Sequence, residues 1–134
     1  FAVFQIHDGR LGCSPPLKLD VEPNGAISLT SDIKTGPGES CIRGAISEQS
    51  RSGVIRRDGA AHALRVLLEF DGTGSFTATV WVDGTAHLSG RYEIQTGQYR
   101  PDSYYFKHGV YSRNIFEYEM VSSGMDVRAV QVNR

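Results

Sequence analysis

The sequence predicts an all-β protein of antiparallel strands, arranged as a sandwich or a barrel. Apolar and polar residues alternate over most of the chain with the period of two that strands require. Two-residue turn signals, Asn24-Gly25 and Asp83-Gly84 among them, separate the alternating segments. Many short strands joined by glycine-rich turns are typical of antiparallel sandwiches and barrels.

The first half of the chain predicts at least three strands. In FAVFQIHDGR (residues 1–10), the alternation places Gln5 and His7 on the same strand face, roughly 6.5–7 Å apart. LKLDVEPNGAISLT (residues 17–30) predicts two strands around an Asn-Gly turn. CIRGAISEQS (residues 41–50) is the only weak helical candidate, and its internal glycine counts against a helix.

The second half continues the same pattern. Strands are expected in HALRVLLEF (residues 62–70), SFTATVWV (residues 75–82) and AHLSGRYEIQ (residues 86–95). The middle one should point four residues inward: Phe76, Ala78, Val80 and Val82. The closing MDVRAVQVNR (residues 125–134) is again strand-like, with its last two valines expected inward.

SYYFKHGVYSR (residues 103–113) predicts one more strand, and its surface is unusual. One face holds two phenols, an ammonium group and a glycine that lets a ligand approach closely: Tyr105, Tyr111, Lys107 and Gly109. The other face holds three residues expected to point toward the core: Phe106, His108 and Val110. Taken alone, an ordinary exposed strand explains the same residues, since tyrosine and lysine are common on strands.

Length and charge limit the classes of function. We expect residues 1–134 to form a single domain, which is large enough to bury a core. The net charge of −1 argues against a nucleic-acid surface, which needs a basic excess. No apolar run approaches membrane-spanning length, and no metal-ligand cluster or phosphate-binding loop appears. We therefore expect no membrane, nucleic acid, metal or cofactor as a partner.

Two motifs together indicate a family. Gln5-Ile6-His7, followed much later by the segment from Tyr105 to Tyr111 (YFKHGVY), resembles the alginate lyases of polysaccharide lyase family seven and their relatives, among them the glucuronan lyases. The intervening segments LRVLLEF and FTATVWVDG are also similar to that family. The resemblance implies a concanavalin-like antiparallel β-jelly-roll sandwich. It also implies a secreted or periplasmic enzyme that cleaves a uronate polymer, with alginate first, by β-elimination.

The resemblance also implies roles for individual residues. Gln5 would neutralise the substrate carboxylate, and Tyr111 matches the family tyrosine that serves as acid and, for some sugars, as base. His7 is the alternative base or a second neutralising group, because imidazole titrates near neutral pH. Three further residues are expected to bind substrate: Lys107, Tyr105 and Arg113.

One part of the family pattern has no counterpart in the sequence. The family has an upstream strand with an arginine and a glutamate two residues apart, and this strand would precede residue 1. We therefore expect the domain to lack N-terminal strands that a further segment or a second chain supplies. The alternative to a lyase is a non-catalytic carbohydrate-binding β-sandwich module.

Cys13 and Cys41 allow two interpretations. They form no CxxC pair and lack the spacing of a zinc site. In an exported protein they would pair as a disulfide and stabilise the fold by roughly 3–4 kcal/mol in the chain-entropy model. The other interpretation is two buried free thiols. We favour the disulfide because the resemblance indicates a protein outside the cytoplasm.

Overall fold

A computed structural model of the chain describes residues 1–9, 13, 15–34, 41–94, 103–112 and 120–128. These residues contain eight strands: β1 Ala2–His7, β2 Leu17–Val21, β3 Ile27–Lys34, β4 Cys41–Gln49, β5 Leu64–Phe70, β6 Phe76–Val82, β7 Thr85–Tyr92 and β8 Tyr105–Tyr111. They form a five-stranded sheet in the order β4-β3-β2-β1-β8 and a three-stranded sheet in the order β5-β6-β7. All paired strands are antiparallel. The all-β prediction is confirmed, and two such sheets are consistent with a β-sandwich.

The core lies between the two sheets, where alternate side chains of each sheet meet. From the five-stranded sheet, β2 contributes three residues with at most 2 % of their surface exposed: Leu17, Leu19 and Val21. From the three-stranded sheet, β6 contributes the four residues predicted to point inward: Phe76, Ala78, Val80 and Val82. The backbones of the two sheets approach each other where β7 packs on β3 and β4.

The predicted hairpin in residues 17–30 is confirmed. β2 and β3 pair with Val21 opposite Ile27, and the turn between them contains Gly25 in a left-handed conformation with φ of 78°. Glycine adopts this conformation without the steric cost of a side chain. The same turn anchors the segment after β4, because the Asn24 carbonyl accepts a hydrogen bond of 3.0 Å from the Gly53 amide.

Residues 41–50, the weak helical candidate, form strand β4 rather than a helix. Ile46 of this strand is 3 % exposed and joins the core, and Ser31 lies directly opposite it on β3. Cross-strand pairing and burial of this side chain outweigh the weak helical tendency of the segment. No helix long and apolar enough to cross a membrane occurs among the residues that the structure describes.

The prediction that one face of β8 is buried in the core is wrong. Phe106 is 42 % exposed and His108 is also exposed, although both lie on the sheet face of the buried Ile6. The reason is the position of β8 at the far side of β1 from β3 and β4, where β7 packs. Phe106 instead packs against Phe4 of β1, with ring centroids 6.4 Å apart.

The strand predicted at the end of the chain is only partly testable. Residues 125–128 are described and lie outside any strand, with Met125 and Val127 more than half exposed. The valines expected to point inward, Val130 and Val132, lie outside the described residues.

Cys13 and Cys41 form a disulfide, as we favoured. Cys13 precedes β2, and Cys41 is the first residue of β4. Since β3 lies between these two strands in the sheet, the disulfide links the β1–β2 connection to the far edge of the same sheet.

Candidate functional site

The two motif strands lie side by side. β1 and β8 pair antiparallel, so that Gln5 is opposite Lys107 and His7 is opposite Tyr105. Residues directly opposite each other on antiparallel strands share a sheet face. The fold therefore brings together four of the predicted site residues from segments that are far apart in the sequence.

These four side chains lie on the sheet face that points away from the core. Gln5 is also opposite Lys18 on β2, while the alternate residue Ile6 is 1 % exposed and belongs to the core. Gln5 and His7 are both partly buried, and Tyr105 and Lys107 are exposed. We call this surface the polar face of the five-stranded sheet: Gln5, His7, Lys18, Asp20, Thr30, Ser47, Tyr105, Lys107 and Tyr111.

A shift in register between Ala2 and Phe4 decides which residues join the polar face. Ala2 lies opposite Asp20 on β2, and Asp20 forms an ion pair of 2.8 Å with Lys18 across one pleat. Ala2 is therefore on the same face as Gln5, although the two residues are three positions apart. Bulges of this kind add a residue to one strand and change its alternation locally.

Tyr111 lies on the polar face, as the alternation of β8 predicts. It is opposite Ala2 on β1 and is 60 % exposed. The row of directly opposite residues that contains Tyr111 and Ala2 continues to Asp20 on β2, and the row that contains Gln5 continues to Lys18. Those two rows are two residues apart on β2, which corresponds to about 7 Å.

Gln5 and His7 are joined by a hydrogen bond. The distance from His7 Nε2 to Gln5 Oε1 is 3.0 Å. Because the amide oxygen can only accept, Nε2 is the donor, and the lone pair of a neutral His7 then lies on Nδ1. The same contact leaves both N–H groups of the Gln5 amide available for another acceptor.

An aromatic contact positions the other side of His7. Its ring stacks on Tyr105 with a centroid distance of 5.5 Å and an interplanar angle of 23°. Lys107 Nζ lies 5.8 Å from the centroid of the same tyrosine ring. This distance is within the range of a cation–π interaction, so one phenol ring contacts both the imidazole and the ammonium group.

The surroundings of His7 lower its pKa from the ordinary value of 6.5. Partial burial is the largest cause, because it disfavours the charged imidazolium. The positive charge of Lys107 lowers the pKa further, and the negative charge of Asp8 opposes both effects. His7 is therefore predominantly neutral at pH 7, which is the form that a proton acceptor needs.

Three residues complete the account of the candidate site. Arg113 lies outside the described residues. Lys18 and Asp20, which the sequence analysis did not select, lie on the same face as Gln5. The alternation of LKLDV indicated that both point away from the core, but only the strand pairing shows that they adjoin the two motif strands.

Comparisons with known proteins add no family to this description. A comparison with protein-family models, curated proteins and solved structures finds no match. In the part of the chain that the structure describes, no three histidine, cysteine, aspartate or glutamate side chains are grouped so that they could hold a metal ion.

Proposed function

We propose that this protein is a polysaccharide lyase that cleaves a uronate polymer, with alginate as the first substrate to test. The observation that supports the proposal is the pairing of β1 with β8. This pairing places an amide, an imidazole and an ammonium group together on one solvent-facing surface: Gln5, His7 and Lys107. Tyr111 lies on the same surface, four residues from Lys107 along β8.

The first requirement of β-elimination is neutralisation of the uronate carboxylate, because the adjacent C5 proton is barely acidic without it. Gln5 has two amide N–H groups available after its oxygen accepts from His7. The ammonium group of Lys107, opposite Gln5, adds a positive charge where negative charge develops on the substrate. Donors held in place before the reaction are often the largest single contribution to catalysis.

The second requirement is a pair of proton transfers. A base takes the proton from C5, the electron pair forms the C4–C5 double bond, and the C4–O bond breaks. The leaving glycosidic oxygen then takes a proton from an acid. In the proposal His7 Nδ1 accepts the C5 proton and the Tyr111 hydroxyl donates to the leaving oxygen. Tyr111 performs both transfers for sugars that present both groups on its side.

The proposal includes a jelly-roll arrangement and a location outside the cytoplasm. Two antiparallel sheets are compatible with a jelly roll, although the same sheets occur in other sandwiches. The disulfide between Cys13 and Cys41 supports an oxidising compartment, since such bonds are rare in the cytosol.

The decisive test is ultraviolet absorbance during incubation with alginate, polymannuronate, polyguluronate and glucuronan, because elimination creates a conjugated unsaturated uronate. We expect absorbance to rise with at least one polymer. In Tyr111→Phe, loss of the proton donor should lower the rate by roughly 10²–10⁴-fold. Tyr111 is largely exposed, so removal of its hydroxyl should leave the fold intact.

Ser89→Ala is the matched control, since it removes an exposed hydroxyl that lies on the other sheet and bonds Thr79. Its rate should equal that of the unmodified protein. No absorbance change with any polymer, from folded protein, would contradict the lyase. If that protein still bound a polyuronate, the carbohydrate-binding module would become the better account.

A further inference from the structure

A row of polar side chains crosses the five-stranded sheet at right angles to its strands. Residues directly opposite one another on neighbouring strands form a continuous row from β8 to β4: Lys107, Gln5, Lys18, Thr30 and Ser47. Because directly opposite residues share a face, all five belong to the polar face. Three strands beyond the motif strands therefore contribute to the same surface.

Lys18 is the charged member of this row on the strand next to Gln5. Its ammonium group contacts Asp20 at 2.8 Å, and the two side chains are 35 % and 16 % exposed. Lysine has three N–H donors, and a single ion pair leaves donors for a further acceptor. The more buried partner, Asp20, therefore holds Lys18 in place while the ammonium group stays accessible from solvent.

We propose that Lys18 is a second carboxylate-binding residue for the polymer and that Asp20 is its positioning residue. The inference rests on the proposed function for the chemical class of the ligand, a uronate polymer. Adjacent strands are about 4.8 Å apart, so Lys107 and Lys18, which lie on either side of Gln5, are roughly 9.6 Å apart at the backbone. A polymer along the row presents one carboxylate to Lys107 and Gln5 and another to Lys18.

The row extends farther on one side of Gln5 than on the other. In the described sheet order, β8 is at one end, and β2, β3 and β4 all lie on the other side of β1. Beyond Lys18 the row continues with hydroxyl groups, which suit the hydroxyls of sugars rather than their carboxylates: Thr30 and Ser47. Most contacts with the polymer therefore lie on the β2 side of Gln5.

Binding is measured by calorimetric titration with alginate oligosaccharides and, in parallel, glucuronan oligosaccharides. All proteins carry Tyr111→Phe, so that the ligand is not consumed. Lys18→Met should weaken binding roughly tenfold through loss of a charge-assisted contact. Asp20→Asn should weaken binding roughly twofold to threefold, less than Lys18→Met does, because the ammonium group keeps its charge but loses the partner that holds it in place.

Arg65→Gln is the matched control, since it removes one cation from the three-stranded sheet, where Arg65 lies over Trp81. Its affinity should equal that of the parent. The inference is overturned if Lys18→Met binds as the parent does, if Arg65→Gln loses as much affinity as Lys18→Met, or if the parent binds neither ligand. Binding by the unmodified protein without an absorbance rise would contradict lyase activity alone.

Discussion

At the scale of single residues, His7 is the group whose surroundings most affect the proposed chemistry. Burial lowers its pKa first, and the charge of Lys107 lowers it further. We predict that Lys107→Met raises the pKa of His7, while burial keeps it below 6.5. The acid limb of the pH–rate profile should move to higher pH with it. A pH titration of the imidazole signals by NMR measures the shift directly.

The same residue links pH to folding. A histidine with a lowered folded-state pKa contributes stability above its unfolded pKa, and this contribution is lost as pH falls through the folded value. Lys107→Met should make that loss smaller. Lys18→Met is the control, because Lys18 is not among the causes of the shift. Equal imidazole titrations in both variants and the unmodified protein would contradict the role of Lys107.

At the scale of elements, the contact between the two sheets depends on a glycine in β7. A side-chain carbon at Gly90 would lie 2.6 Å from Cγ2 of Ile46 on β4. Isoleucine is stiff at its branched carbon, so Ile46 cannot move aside without a change of rotamer. We predict that Gly90→Ala destabilises the protein by about 1–3 kcal/mol. Urea unfolding measures the difference.

Two variants test the cause of this effect. Gly90→Ala should cost less stability in an Ile46→Ala background than in the unmodified protein, because Ile46→Ala removes the Cγ2 atom that the new methyl group contacts. Ser89→Ala, one residue away on the outer face of β7, should change stability by less than about 0.5 kcal/mol. A Gly90→Ala protein as stable as the original would show that the sheets separate more easily than the close approach suggests.

The elements also show what the sequence pattern can predict. Alternation identified both strands of the β2–β3 hairpin and the four inward residues of β6, because period and turn chemistry are local properties. The same alternation gave the correct faces of β8 but the wrong burial for Phe106 and His108. Burial depends on which strand of the other sheet lies above, and no local pattern contains that information.

Local alternation also predicts only part of the candidate site, and the rest depends on how the strands pair. The period of a strand predicted that Gln5 and His7 share a face, and their hydrogen bond agrees with this. That β8 lies beside β1, and that a register shift brings Ala2 onto this face opposite Tyr111, follow from long-range pairing alone. Lys18 was missed for this reason, since its position next to Gln5 depends on the register of β1 with β2.

At the scale of the whole molecule, the disulfide connects parts of the five-stranded sheet that the chain alone leaves far apart. Cys13 and Cys41 are separated by 28 positions; Cys13 precedes β2 and Cys41 begins β4, and these two strands are on opposite sides of β3. The bond therefore restricts the unfolded chain and also restrains the connection from β1, which holds Gln5 and His7. Its removal should affect both global stability and the polar face.

We predict that the double variant Cys13→Ala, Cys41→Ala is less stable than the oxidised protein by roughly 3–4 kcal/mol, because a closed loop of this length limits the unfolded ensemble. Urea unfolding of the oxidised protein, the reduced protein and the variant measures this. A reductant should destabilise the original protein and leave the variant unchanged, which separates the disulfide from other effects of the reagent. Equal midpoints for all three samples would show that the strand pairing of the five-stranded sheet is sufficient to restrain both segments without a covalent link.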